Sequence, residues 1–195
     1  MAEMFEKGSA KDISVLIRKE IESLPITYAY ATDCFGRATD ALGDQSLDST
    51  INLDNPLFAE GLSLYRQIFS KDFTFSLMVE GVLIEVVPNP ESQGDAVLEW
   101  ANYVNNAFRK GQYKSTQHHI GSINSSILEN SAVVQSYLIA THVYSEEAKD
   151  TGVSITWGTY TDEVSLEDGS WLIRARSLDV ISTNTISGVS KLAVE

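Results

Sequence analysis

Cysteine occurs once, at Cys34. No disulfide can therefore form within the chain, and this usage fits a reducing compartment. Cys34 stands among apolar and aromatic neighbours, which suits a buried structural thiol better than a nucleophile. Positive charge is also scarce: 14 Lys and Arg stand against 27 Asp and Glu, for a net charge of −13. No basic run and no stripe of basic and aromatic residues appears. A nucleic-acid role is excluded on that ground, because phosphate binding needs clustered Lys and Arg. The opening MAEMFEKGSAKD has no apolar signal core, and no apolar stretch reaches membrane-spanning length. The expectation is a cytoplasmic protein with no membrane partner. GxGxxG, a Walker loop, G-x-S-x-G and HExxH are all missing, as are internal repeats and low-complexity segments.

What is present is ordinary globular composition over 195 residues, with 43% hydrophobic and 21% charged residues. That length fits one domain, 1–195, with its core at about 10–182, and is enough to bury a core without a disulfide or metal. Ser9-Ala-Lys-Asp12 reads as a capping box. Ile13, Leu16, Ile17, Ile21 and Leu24 follow at helical spacing. Pro25 is expected to kink or divide that helix, and ITYAYATDCF carries it on to about Gly36. Residues Ala38 to Asn55 read as a loop or insertion. Asn55-Pro56 starts a second helix, with Phe58, Leu62, Tyr65 and Phe69 on one face. FTFSLMV and VLIEVV flank Glu80-Gly81 as a hairpin, and PNPESQGD is a loop. Val97, Ala101, Val104 and Phe108 mark a third helix that ends near Gly111.

Beyond Gln112 the period is that of strands: KSTQHHIGSIN, AVVQSYLIATHVY, VSITWGTYTDEVSL and SWLIRARSLDVIS, then a tail of about a dozen residues. Four long strands at short spacing imply a meander and an antiparallel sheet. Helices followed by such a sheet predict an α+β fold with the helices on one face. A strongly curved sheet wrapped round them closes on a cavity, where a ligand would sit.

Three groups of residues could carry chemistry in that cavity. Tyr28, Tyr30 and Asp33 lie within two turns of the first helix. Spacing puts Tyr30 and Asp33 on a common side, with Tyr28 partly round it. Asp33 could equally cap the helix or face water. In Gln117-His118-His119 neighbouring side chains point to opposite faces, so only one imidazole can enter the cavity. A hairpin centred near Asn130 would pair His118 with His142 on one face, unless a bulge or slip intervenes. No third ligand has metal-like spacing, so neither a metal nor any cofactor is expected. Arg37, with Tyr65 and Arg66, could bind an oxyanion or form a surface ion pair. Arg37, Tyr65, Tyr137, His142 and Trp157 are the candidate substrate-binding residues; Trp100 and Trp171 serve as core or wall.

In their order, these segments resemble a known family. Ile21-x-x-Leu24-x-x-x-Tyr28-x-x-x-x-Asp33 resembles the opening helix of the SnoaL-like branch of the nuclear transport factor 2 (NTF2-like) superfamily. Phe69-x-x-Asp72 is similar to its junction into the first strand, and Thr116-Gln117-His118 to its Thr-Arg-His strand start. Ala132-Val-Val-Gln-Ser136-Tyr137 is similar to its next strand, and Asp168-Gly169-Ser-Trp171-x-Ile173-x-x-Arg176-x-Leu178 to its closing one. The resemblance spans about residues 10 to 182 and implies a cone, with helices in the concavity of a strongly bent sheet. Its members include scytalone dehydratase, polyketide cyclases, a bile-acid dehydratase and a dehydrochlorinase. Several use an Asp–His dyad with tyrosines, and the positions that match are Asp33, His118 and Tyr28. Thr32-Asp33-x-x-Gly36-Arg37 with Gly61-x-x-x-Tyr65-Arg66-x-x-Phe69 resembles a sub-branch of lignin-dimer γ-formaldehyde lyases. Two features differ: Asp33 and His118 are further apart in sequence than in the dehydratases, and Ser122 stands where many relatives have Asn.

The resemblance implies a cofactor-independent lyase or isomerase acting on a small hydrophobic, aromatic molecule. In it His118 moves the proton, Asp33 orients the imidazole, and Tyr28 or Tyr30 polarises a substrate oxygen. The alternative is a non-catalytic binder or the structural β-type subunit of a ring-hydroxylating dioxygenase. A homo-oligomer, dimer or trimer, built through the outer sheet face is also implied.

Overall fold

A computed structural model describes residues 10–39, 50–89, 91–148, 150 and 152–187. Ser9 of the expected capping box, residues 40–49 of the expected loop and 188–195 of the expected tail lie outside them. Among the described residues the order is α1 (Ala10–Thr39), α2 (Pro56–Ile68), β1 (Phe69–Val79), β2 (Val82–Val87), α3 (Ala96–Lys110), β3 (Tyr113–Leu128), β4 (Ser131–Tyr144), β5 (Val153–Glu167) and β6 (Ser170–Ile186). The last strand thus takes in the first residues of the expected tail.

Pro25 neither divides α1 nor ends it: the helix runs unbroken through it. The side chain is fully buried, and packing in the core offsets the one lost backbone hydrogen bond. Ile21, Leu24, Tyr28, Ala31, Phe35 and Ala38 recur every three or four residues, and all are buried. α2 starts where Asn55 Oδ1 accepts the Leu57 N–H, and α3 starts where Asp95 Oδ1 accepts that of Leu98. Gly61 lets α2 lie against α1, since a Cβ there would stand 2.7 Å from the Phe35 ring.

The six strands form one sheet in the order β2-β1-β6-β5-β4-β3. Only β1 and β6 run parallel; the other pairs are antiparallel. The architecture is α+β, three helices against a mostly antiparallel sheet, as expected. The inner face of β4 carries Ala132, Val134, Ser136, Leu138 and Ala140, all buried. That of β5 carries Ser154, Tyr160, Asp162 and Val164, also buried.

The β3–β4 register departs from the expected one: His118 lies opposite Ala140, and His142 opposite Thr116. Two one-residue offsets add up. The turn is the two-residue Glu129-Asn130, so its centre lies half a position earlier than expected. One extra residue then enters β3 between Gly121 and Asn124. Either offset alone would have sent one histidine to the outer face; together they keep both inside, two positions apart. Ser122, in that bulge, has φ +48°, a left-handed conformation that Asn and Gly adopt more readily.

We expect Ser122→Asn to hold or raise thermal stability and Ser122→Val to lower it by about 1–2 kcal/mol, because a β-branched residue resists positive φ. Thermal melts of the two variants decide it. Equal midpoints would mean that this backbone geometry carries no strain.

Candidate active site

Asp33 projects from α1 toward β3, the last strand of the sheet. Its Oδ1 accepts the Thr116 hydroxyl at 2.9 Å and lies 2.7 Å from His118 Nδ1. Its Oδ2 accepts the His118 backbone N–H at 3.0 Å. That N–H lies on the open edge of β3, and the carboxylate satisfies it where no further strand could. An ionised carboxylate only accepts, so Nδ1 carries the proton. The lone pair of the neutral ring is then on Nε2. Gly36, one turn after Asp33, is small for a reason: a Cβ there would stand 2.0 Å from Thr116 Oγ1.

The His118 ring borders a cavity of about 210 Å³. Phe75, Leu77, Val104, Leu138 and Leu178 give it an apolar wall, and Tyr28, Thr32, His142, Thr156 and Tyr160 supply polar groups. The His142 ring stands 5.7 Å from that of His118, edge to face, and stacks on Tyr113 at 4.7 Å. Burial, with the neighbouring His118, lowers its pKa from the ordinary 6.5 to about 4, against a smaller raising effect of Asp33. His142 is thus neutral at physiological pH, and its buried Nδ1 has no hydrogen-bond partner among the described residues.

Also on the cavity wall, Tyr28 and Tyr160 meet edge to face at 5.5 Å. The Arg176 guanidinium lies 3.9 Å from the Tyr28 ring centre and 4.5 Å from that of Tyr160. Arg176 is opposite Asp162 across β5 and β6. It donates from Nε at 2.5 Å and from Nη2 at 2.6 Å to the two carboxylate oxygens. Neither side chain has any exposure. Burial works against the arginine's charge, but Asp162 outweighs it and the pKa is raised. Burial likewise raises the Tyr28 phenol, and the guanidinium beneath it opposes part of that rise.

The residues expected at the site divide accordingly. Asp33, His118, Tyr28 and His142 come together, and His119 is exposed on the other face. Tyr65 is fully buried, with its hydroxyl 2.7 Å from Thr32 Oγ1. It stands in the core behind the cavity wall and supports Thr32 from there. Tyr30 is 66% exposed and is not among the residues that line the cavity. Arg37 is two turns from Tyr30 on the same exposed stripe, and among the described residues its guanidinium donates to Cys34 Sγ, at 3.5 Å. Cys34 is buried, and burial raises its thiol pKa. Tyr137 is 61% exposed on the outer sheet face, and Trp157 pairs with the outward-facing Ile139. Tyr30, Arg37, Tyr137 and Trp157 therefore do not line the cavity. Sequence reasoning missed Thr116, Tyr160 and the Asp162–Arg176 pair. The signal for Thr116 was at hand, since it is two positions before His118 and shares its face. Among the described residues no group of three or more His, Cys, Asp or Glu gathers as a metal site, and no helix is long and apolar enough to cross a membrane.

The family model for the SnoaL-like domain matches residues 61–177. No curated protein sequence matches the chain. Among solved structures, it is similar to a candidate scytalone dehydratase from Novosphingobium aromaticivorans (TM-score 0.57, 20% identity, covering 93% of this chain and 98% of that one). It is also similar to the hexachlorocyclohexane dehydrochlorinase LinA-type3 from Novosphingobium barchaimii (0.61, 14%, covering 94% and 99%). A third similar structure is the β-subunit of a candidate aromatic-ring-hydroxylating dioxygenase from N. aromaticivorans (0.55, 14%, covering 90% and 95%). At such identities the likeness is one of fold.

Two outcomes follow from this geometry. Gly36→Ala should push Thr116 off the carboxylate and lower stability by about 1–3 kcal/mol, as overpacking does; chemical denaturation measures it, and an unchanged midpoint contradicts the close approach. For His142 the folded pKa is depressed, so as pH falls the unfolded chain takes up a proton before the folded one does. The stability it contributes is complete above about 6.5 and is lost toward about 4. His142→Phe should therefore lose less stability than the wild type between neutral pH and about pH 5. Equal losses in the two proteins would contradict a buried neutral imidazole.

Proposed function

The chain belongs to the SnoaL-like domain family, and from that premise we propose that it is a cofactor-independent lyase or isomerase. On this reading it works by Asp33–His118 acid–base chemistry on a small, mostly apolar, ring-bearing molecule. The reading rests on the 2.7 Å Nδ1–Oδ1 contact, which leaves the basic nitrogen of His118 for an apolar cavity with polar groups beyond it. His118 Nε2 takes the proton, and Asp33, already placed, stabilises the imidazolium that forms. Tyr28, across the cavity, donates its phenolic hydrogen bond to the substrate oxygen on which charge gathers.

These parts serve three reactions. In a dehydration His118 removes a carbon-bound proton, the electron pair forms the double bond, and hydroxide leaves as water after protonation. In a cyclisation the carbanion formed by the same proton removal attacks a carbonyl carbon of the same molecule. In a retro-aldol release of formaldehyde His118 removes a hydroxyl proton; the C–C bond breaks, and its electron pair passes into a conjugated acceptor that is then protonated. Similarity to a candidate scytalone dehydratase and to a dehydrochlorinase supports the elimination type.

The rival reading, a non-catalytic partner subunit, has support from the fold of the dioxygenase β-subunit. It accounts for Asp33 as a closure of the sheet edge, but it leaves an imidazole on an apolar cavity without a role. Exposed Val133, Tyr137 and Ile139 on the outer face of β4 support self-association there as a dimer or trimer.

His118→Ala should slow turnover roughly 10²–10⁴-fold while costing the fold only about 1–3 kcal/mol. Asp33→Asn should also slow it, and chelators should have no effect. The substrate comes from a screen of aryl alcohols, diols and polyketide-like ketones, read by ultraviolet absorbance and by formaldehyde release. Full activity in His118→Ala refutes the mechanism; inhibition by chelators points to a metal instead.

A further inference from the structure

Tyr103 borders two spaces. On one side its ring lines the cavity that holds His118. On the other it lines an open groove of about 670 Å³ between α3 and the stretch from β2 to Asn89. The ring stacks on Trp100 at 5.4 Å, and its hydroxyl donates to Glu85 Oε2 at 2.7 Å. Glu99, Asn102 and Asn106 continue the same side of α3 along the groove at helical spacing, and Glu85 and Asn89 face them.

Size makes this contiguity matter. The inner cavity, about 210 Å³, falls below the roughly 300–1,000 Å³ usual for a small-molecule site. It suits a single substituted ring. A longer molecule can extend past Tyr103, the wall that both spaces share, into the groove. The groove's chemistry then sets what such an extension can be. Glu85 has one oxygen on Tyr103, and Glu99 has one on the Ser92 hydroxyl; the second oxygen of each carboxylate can accept a donor from a ligand. Asn102 has its Oδ1 on the Ile51 N–H, so its remaining polar group is a donor. An anionic extension would meet two carboxylates.

We propose that the substrate has two parts: a ring against His118, and a tail in the groove that carries hydroxyl or amine donors and no negative charge. Tyr103 and Glu85 then set specificity, the first as the shared wall and the second as the acceptor at the passage. The inference rests on the catalytic reading above for where the ring sits.

Binding tests it without knowledge of the reaction. Three probes share one methoxyphenol ring: the ring alone, the ring with a three-carbon chain ending in a hydroxyl, and the same chain ending in a carboxylate. Calorimetry with the wild type should find the hydroxyl-tailed probe roughly tenfold tighter than the ring alone, about what one or two net hydrogen bonds supply. The carboxylate-tailed probe should be the weakest. Glu85→Gln should shrink the hydroxyl advantage, and Glu85→Lys should move the carboxylate-tailed probe from weakest to tightest. No advantage for the hydroxyl tail, or an order that Glu85→Lys leaves unchanged, overturns the inference. If in that case the ring alone still binds and His118→Ala weakens it, the catalytic reading stands without the tail. Binding of none of the probes, or ring binding indifferent to His118→Ala, overturns both.

Discussion

The Asp33 carboxylate takes three hydrogen bonds from two residues of β3: the Thr116 hydroxyl, the His118 backbone N–H and the His118 ring. One side chain thereby closes the open edge of the sheet, fixes how α1 lies against it, and sets which nitrogen of His118 carries a proton. The small residue at Gly36 follows from it, because α1 must come close enough for the carboxylate to reach. So does the placing of Tyr28 over the cavity, since it lies on the same rigid helix. The interaction that holds the edge strand is also the one that orients the His118 ring.

A second buried polar contact, the Asp162–Arg176 pair, lies against Tyr28 and Tyr160 of the cavity wall. Two charges without exposure are costly unless paired in good geometry, and here both carboxylate oxygens are engaged. Among the described residues one guanidinium nitrogen, Nη1, has no hydrogen-bond partner; the faces of Tyr28 and Tyr160 take up part of that demand. The cavity wall thus carries an imidazole at His118 and, at Tyr28, a phenol over a fixed cation.

Much of this was legible in the sequence, and the reasons differ by element. The helices announced themselves through caps at Asn55 and through the apolar recurrence from Ile21 to Phe35. Strand alternation placed His118 and His142 on one face, but not in register, because the turn centre and the bulge at Ser122 leave no periodic trace. The same alternation puts Tyr137, five positions before His142, on the outside. Tyr30 and Arg37 looked like neighbours of Asp33 because helical spacing does not say where the neighbouring sheet ends. The Asp162–Arg176 pair was invisible for another reason: each residue alternates as an ordinary polar strand residue would, and only the β5–β6 register makes them partners. Tyr103 was hidden likewise, since it lies on α3 and its neighbour Glu85 on β2.

The central claim, that Asp33 holds His118 with its proton on Nδ1 and its lone pair on Nε2, can be read directly. Nitrogen-15 histidine labelling, with long-range proton–nitrogen correlation at a pH where the ring is neutral, distinguishes the two tautomers. His118 should be the Nδ1–H tautomer in the wild type, and Asp33→Asn should disturb this preference. An Nε2–H tautomer in the wild type, or one indifferent to Asp33→Asn, would contradict it.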